Sequence, residues 1–154
     1  MYQSPIYNDL IITSTQISVH IKELIALIDE YLNKFERKEF FVFADDKKRD
    51  SVYRSEYYAF ISKIPEISED IGILTSKLSL LLVEADNEMD IALIVLIGKK
   101  NEACLALSKE LSEFVSESKD IISKEGISPS TIVIRTRKLK IEIESILNCL
   151  EADQ

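Results

Sequence analysis

The chain has 154 residues, of which 46% are hydrophobic, 30% are charged, and only three are Gly and three Pro. This composition excludes a disordered chain, and a formal net charge of −8 argues against general nucleic-acid binding, because Lys and Arg supply most of the affinity for phosphates. We expect one domain over residues 1–154.

The first predicted helix follows Pro5 and begins near Asn8 or Asp9, since either side chain can cap it. Its apolar positions repeat at spacings of three and four: Ile17, Ile21, Leu24, Ile28, Tyr31 and Phe35. The pattern ends at Glu36. The apolar run 40–44 that follows has no amphipathic spacing, so helical and extended structure both stay open there.

The longest apolar pattern in the chain follows a charged connection at residues 45–50. Its positions are Tyr53, Tyr57, Phe60, Ile64, Ile67, Ile71, Leu74, Leu78, Leu81 and Ala85. Pro65 lies within this pattern and lacks a backbone donor, so the second helix is predicted to be kinked or broken there. Because the apolar positions stay in phase across Pro65, we expect one kinked element rather than two independent ones.

The third predicted helix spans about residues 88–124. Its start, 91–97, has no polar face and is expected to be buried on several sides, whereas Lys100 interrupts the apolar face one turn later. Gly126 is typical of a helix end, and Ser128 followed by Pro129 is typical of a helix start. The fourth helix has its apolar face at Ile132, Leu139, Ile143, Ile146 and Leu150.

Four long amphipathic helices with short connections predict an all-α fold, an up-down-up-down antiparallel helix bundle. The nearest alternative is a domain of five helical pieces, in which Pro65 breaks the second helix.

The sequence predicts no catalytic, metal or cofactor site. His20 is the only histidine, the three glycines are isolated, and Cys104 and Cys149 lie at positions that suit buried reduced thiols. No secretion signal and no apolar run of about 20 residues is evident, so a cytoplasmic protein without a membrane partner is expected.

Pairs of glutamates one helical turn apart are the remaining pattern that could support catalysis. Glu36, Glu39, Glu66 and Glu69 could hold Mg²⁺ in an all-α nucleotide pyrophosphohydrolase if all four converged in a pocket. A third set, Glu110, Glu113 and Glu117, has the same spacing. Such spacing is equally typical of a solvated acidic helix.

The last helix carries a basic cluster in its first half, formed by Arg135, Arg137, Lys138 and Lys140. Ion pairing with neighbouring acidic helices is the structural explanation. A site for phosphate or for an acidic partner is the functional one.

Aromatic residues and acidic residues indicate where a partner protein would bind. Nine of the twelve Phe and Tyr residues fall between Tyr31 and Phe60, and five of these belong to the apolar faces. The remaining four flank a charged connection and either close the end of the bundle or anchor an interface. Between Glu66 and Asp90, seven acidic residues stand against Lys77 alone.

The function expected from these patterns is non-enzymatic protein binding, most concretely by a small acidic inhibitor of the immunity or antitoxin type that masks a basic toxin or nuclease. The candidate partner-binding residues are Phe40, Phe41, Phe43, Tyr58, Glu84, Asp86, Glu88 and Asp90. A cytosolic chaperone or adaptor for another polypeptide is the second interpretation, and it allows a homodimer. The magnesium-dependent pyrophosphohydrolase is the third.

Overall fold

Five α-helices make up the described part of the chain. The structure, a computed structural model, describes residues 4–36, 46–123 and 129–152. The helices are α1 (Pro5–Glu36), α2 (Asp46–Ser62), α3 (Ile64–Asn87), α4 (Ile91–Ser123) and α5 (Pro129–Glu151). The expected all-α class is therefore confirmed for these residues.

Four of the helices pack around a shared apolar core. Helix α1 contacts α3 and α5, and α4 contacts the same two helices from the other side. The shorter α2 lies against α1, α3 and α4. Residues three and four apart share one face of a helix, which is why each apolar pattern reaches this core.

The longest apolar pattern is almost completely buried. Its buried members are Tyr53, Tyr57, Phe60, Ile64, Ile71, Leu74, Leu78, Leu81 and Ala85, while Ile67 is half-buried against the same core. Spacing alone therefore identified the inward face over more than thirty residues.

One residue, Lys63, separates α2 from α3 within this pattern. Its backbone N–H bonds to the carbonyl of Phe60 at 3.3 Å, which closes the last turn of α2. Pro65 lies in the first turn of α3, where the N–H that proline lacks would have no partner within the helix. The apolar face thus continues across two helices of 17 and 24 residues.

Three predicted helix boundaries were wrong. Helix α1 begins at Pro5 because the hydroxyl of Ser4 caps it, accepting a hydrogen bond from the Tyr7 N–H at 3.1 Å. Helix α2 begins at Asp46, so most of the predicted connection at 45–50 is helical. Helix α4 begins at Ile91, three residues later than expected.

The five aromatic residues assigned to the apolar faces are core or near-core residues. Tyr31 stacks on Phe60 with ring centroids 4.5 Å apart, and Phe35 stacks on Tyr53 at 5.4 Å. The Tyr57 hydroxyl lies 2.6 Å from that of Ser118 on α4. Burial raises the pKa of both the Tyr31 and Tyr57 hydroxyls. These rings attach α2 to α1 and α4.

Lys100 is a buried cation on the inward face of α4, with 2% of its surface exposed. Its Nζ donates hydrogen bonds to the carbonyls of Leu150 at 2.6 Å and Ala152 at 3.1 Å. The last carbonyls of a helix have no donors within that helix and carry partial negative charge. The lysine that interrupts the apolar pattern therefore caps the carboxyl end of α5.

The basic cluster of α5 forms ion pairs with two neighbouring helices. Arg137 lies 3.5 Å from Glu36, and Lys140 lies 2.6 Å from Asp29, both on α1. The hydrogen bond with Asp29 raises the pKa of Lys140. Arg135 faces α4 instead. These contacts support the structural explanation of the cluster.

Helix α1 is long and apolar enough, by length and composition alone, to cross a membrane. A core helix of a soluble protein and a signal sequence near an N-terminus meet the same criteria, and 39% of the relevant segment is buried within the protein. Its inward residues, among them Leu10, Ile17 and Leu24, are fully buried in the shared core.

Candidate protein-interaction site

The turn between α3 and α4 has an unusual backbone. The Met89 N–H bonds to the carbonyl of Asp86 at 3.0 Å, and the Asp90 N–H bonds to that of Ala85 at 3.1 Å. This pair of bonds is the Schellman motif, which requires a left-handed residue and usually places glycine there. Here the left-handed residue is Met89, with φ 57°. This backbone conformation costs a residue other than glycine about 1–2 kcal/mol.

Large apolar side chains project from this turn. Met89 is 82% exposed and Ile91 is 74% exposed, and Val95, one turn further along α4, is also exposed. The expectation that residues 91–97 are buried on several sides was wrong, because only Leu93 and Ile97 of these residues are buried in the core. We call Met89 and Ile91 the apolar tip.

Exposed acidic side chains lie shortly before the apolar tip along the chain. Glu84, Asp86 and Glu88 are all exposed. Between Lys77 and Lys99 the sequence contains no Lys or Arg, so nothing in this stretch of chain offsets their charge. We call these three residues the acidic rim. Apolar contacts inside a charged rim are the usual anatomy of a protein interface.

Asp90, the fourth predicted acidic residue, has a structural role in the turn. It is half-buried, and its Oδ1 accepts a hydrogen bond from the Leu93 N–H at 3.1 Å. Its carbonyl accepts the first helical bond, from the Ile94 N–H at 2.9 Å. Asp90 is thus the N-cap of α4, and this cap explains why α4 starts later than predicted.

The predicted site residues fall into two groups that the structure does not bring together. Glu84 lines a groove with Ile12 near the start of α1, whereas Tyr57, the neighbour of Tyr58, contacts Tyr31 near its end. Ile12 and Tyr31 are about 28 Å apart along α1, at about 1.5 Å per residue. The acidic rim and Tyr58 therefore lie near opposite ends of the bundle.

Of the four predicted aromatic site residues, Tyr58 is the one within the described ranges. Tyr58 is exposed on α2. Phe40, Phe41 and Phe43 lie outside the described residues, and so does the open question of whether 40–44 is helical or extended. Three exposed residues of the predicted partner-binding set, Glu84, Asp86 and Glu88, lie close together in the chain at the α3–α4 turn.

The described glutamates of the predicted magnesium site do not share a pocket. Glu36 pairs with Arg137 on α5, while Glu66 and Glu69 are exposed on α3. Glu39 lies outside the described residues. Within the described ranges, no group of three or more His, Cys, Asp and Glu residues is placed to hold a metal ion.

The single histidine and the two thiols take no part in such a group either. His20 Nδ1 lies 3.5 Å from the Glu23 carboxylate on the same helix. Both cysteines are free thiols, with Cys104 buried and Cys149 half-buried. Burial raises the pKa of the Cys104 thiol to about 11, so this side chain is a poor nucleophile at neutral pH.

A second polar surface lies between α4 and α5. The Arg135 guanidinium donates to Glu117 at 2.8 Å and lies 5.3 Å from the ring centroid of Phe114. Beside it, a hydrogen bond with Glu142 raises the pKa of Glu110, and burial adds to this effect. Packing between the two helices explains these contacts without a ligand.

The chain matches no protein-family model, and searches for similar curated proteins and similar solved structures gave no significant match.

Proposed function

We propose that the protein works by binding another protein, with the α3–α4 turn as its contact surface. The observation that carries this proposal is the backbone conformation and the exposure of Met89. A residue with a large apolar side chain holds a left-handed backbone position that suits glycine, and this residue is 82% exposed. Backbone strain at an exposed residue often accompanies function, because folding alone would favour glycine there.

The chemistry of the turn suits a basic partner. Met89 and Ile91 provide adaptable and branched apolar contacts, and the acidic rim would attract Lys and Arg side chains around them. The net charge of −8 adds a long-range attraction for such a protein. The most concrete form of the proposal is a small acidic inhibitor of the immunity or antitoxin type that masks a basic toxin or nuclease, acting in the cytoplasm.

Charge reversal of the acidic rim tests the proposal. The triple variant Glu84→Lys, Asp86→Lys, Glu88→Lys leaves the Asp90 cap intact. The partner is first isolated from the native host with the wild-type protein, and its affinity for each variant is then measured at low and high salt. We expect affinity to fall at least about tenfold at low salt and the salt dependence to shrink, because screening acts on the lost attractions.

A matched triple variant provides the control. Asp70→Lys, Glu113→Lys and Asp120→Lys change three exposed acidic residues away from the turn and alter the net charge equally. This control should keep most of the affinity. If both triple variants bind alike, the turn is not the contact surface and the proposal is wrong.

A second groove supports the chaperone or adaptor alternative. It lies between the start of α3 and α4 and has a volume of about 570 Å³. Pro65, Leu111 and Val115 line it together with several serines, Glu69 and Lys119. An apolar segment of another polypeptide could enter it. A protein that used this groove would keep its affinity after charge reversal at the turn, so the same measurement separates the two functions.

We also propose that the long elements alternate in direction, with α2 and α3 acting as one kinked element around Lys63. Ion pairs between the first and last helices support this arrangement. Lys22 lies 3.1 Å from Glu151, and Glu36 lies 3.5 Å from Arg137, so partners advance along α1 as they retreat along α5. This pairing order is the one expected of an up-down-up-down bundle.

A further inference from the structure

A groove between α1 and α3 adjoins the acidic rim. Its volume is about 300 Å³, and Ile12 of α1 and Leu80 of α3 line it from opposite sides. Ile12 is 56% exposed and Leu80 is 65% exposed, above the buried side chain of Leu81. Glu84 lines the same groove and also belongs to the acidic rim, so the two surfaces are continuous.

Exposed apolar residues repeat at heptad spacing on both sides of this groove. Val19 lies seven residues after Ile12, and Ile73 lies seven residues before Leu80, and both are exposed. Seven residues are two helical turns, about 10 Å, so each helix presents two apolar positions on one face. A partner helix with apolar residues at the same spacing could contact both positions in turn.

The charges of the groove select among the possible occupants. Asp9 and Glu84 supply two exposed carboxylates, and Lys77 supplies one ammonium group. A second copy of this chain would bring a face of the same net negative charge against this groove, and both chains carry a net charge of −8. A helix with Lys or Arg beside its apolar face would neutralise both carboxylates, and Lys77 would donate a hydrogen bond to one carboxylate or carbonyl oxygen of that helix.

We infer that the α1–α3 groove receives an amphipathic helix of the basic partner, with apolar residues seven positions apart and Lys or Arg beside them. This inference rests on the proposed function, because it names the element of the partner that continues the contact begun at the α3–α4 turn. Ile12 and Leu80 are the apolar contacts, and Asp9 and Glu84 are the charged ones.

A designed peptide tests the groove without the native partner. The probe is a synthetic helix about four turns long, with Leu at heptad spacing and Lys on the flanking positions; a scrambled peptide of identical composition is its control. Titrations by fluorescence anisotropy give both affinities, and amide chemical shifts locate the contact. We expect the patterned peptide to bind more tightly and to shift amides around Ile12 and Leu80.

Substitution of the exposed leucine should weaken this binding. Leu80→Ser is expected to lower affinity for the patterned peptide about tenfold, because it removes a central apolar contact. Ile134→Ser, at an equally exposed apolar residue on α5, should change nothing. Equal binding of the two peptides, or an unchanged affinity of Leu80→Ser, would overturn the inference. So would a wild-type homodimer in sedimentation that Leu80→Ser dissociates.

The native partner separates failure of the groove from failure of the turn. The double variant Asp86→Lys, Glu88→Lys changes the turn and leaves Glu84 in place. If this variant loses the partner and Leu80→Ser keeps it, the groove inference is wrong and the proposed function stands. If Leu80→Ser loses the partner and the double variant keeps it, the groove stands and the turn does not. If neither variant loses it, both are wrong.

Discussion

Lys100 is a residue whose place in the sequence pattern is explained by a contact that the structure shows. The sequence places a charge on an otherwise apolar face, which is a local inconsistency. The structure resolves it, because the ammonium group meets carbonyls at the end of α5, which lack donors within their own helix. Only packing between α4 and α5 creates that contact, so no local pattern could have predicted it.

Replacing Lys100 should therefore destabilise the bundle. Lys100→Met keeps the volume and removes the hydrogen bonds, and we expect the free energy of unfolding to fall by about 2 kcal/mol, since buried carbonyls lose a charged donor. Urea denaturation measures this change. Lys99→Met, at the exposed neighbouring lysine, is the control. Equal midpoints for the two variants would show that the cap contributes nothing.

Ile91 and Val95 show what residue spacing could have predicted. Leu93 and Ile97 are four apart and share the inward face, so Ile91 and Val95, two residues earlier on an α-helix, point away from it. An uninterrupted apolar run concealed this phase difference. The exposure of Ile91 and Val95 could thus have been predicted by comparing the helical positions of these residues with those of Leu93 and Ile97.

Met89 was not predictable in the same way. Its left-handed backbone follows from two hydrogen bonds to the end of α3, and the sequence 86–90 has no glycine to mark the position. Helix α3 continues through Asn87, and the turn follows at Glu88 and Met89. Local acidity identified the region, and only backbone geometry identified its central residue.

The contact between α4 and α5 makes the stability of the bundle depend on pH. The hydrogen bond with Glu142, with burial and the Glu142 charge, raises the pKa of Glu110 above its ordinary value of 4.5, while Arg135 and Lys138 oppose the shift. A raised carboxyl pKa means that the folded state binds the proton more tightly. Its stabilising effect is complete below pH about 4.5 and is lost as pH rises through the raised pKa.

Glu142→Gln should remove most of this dependence. The amide can donate to the Glu110 carboxylate, so we expect a higher melting temperature at pH 7 and a smaller loss of stability between pH about 4.5 and 7 than in the wild type. Thermal unfolding across this pH range is the measurement. Glu113→Gln, at an exposed glutamate of α4, removes the same charge as a control. Matching pH profiles for both variants would contradict the proposed coupling.

The two ends of the molecule differ in character. Near the end of α1, aromatic rings pack α2 against α1 and α4. The Tyr57 hydroxyl there is buried against that of Ser118. Near the start of α1, the α3–α4 turn exposes apolar side chains beside the acidic rim. The apolar spacing predicted the all-α class and most of the core, because burial depends directly on that periodicity, but it misplaced three helix starts and the exposed residues at the start of α4. It could not show which exposed surface would bind a partner, since that depends on how the helices pack against one another.

Met89→Gly tests the central proposal most directly, because stability and binding should change in opposite directions. Glycine relieves the left-handed strain and loses some unfolded-state advantage, so we expect the free energy of unfolding to rise by about 0.5–1 kcal/mol. It also removes half of the apolar tip, so affinity for the partner should fall at least about tenfold.

Unfolding and binding measured on the same preparation decide the question. Met89→Leu is the control that keeps an apolar side chain and the strain, and it should bind nearly as well as the wild type. A more stable Met89→Gly protein with weakened binding is the result that the proposed function predicts. A more stable protein that binds its partner with unchanged affinity would contradict it.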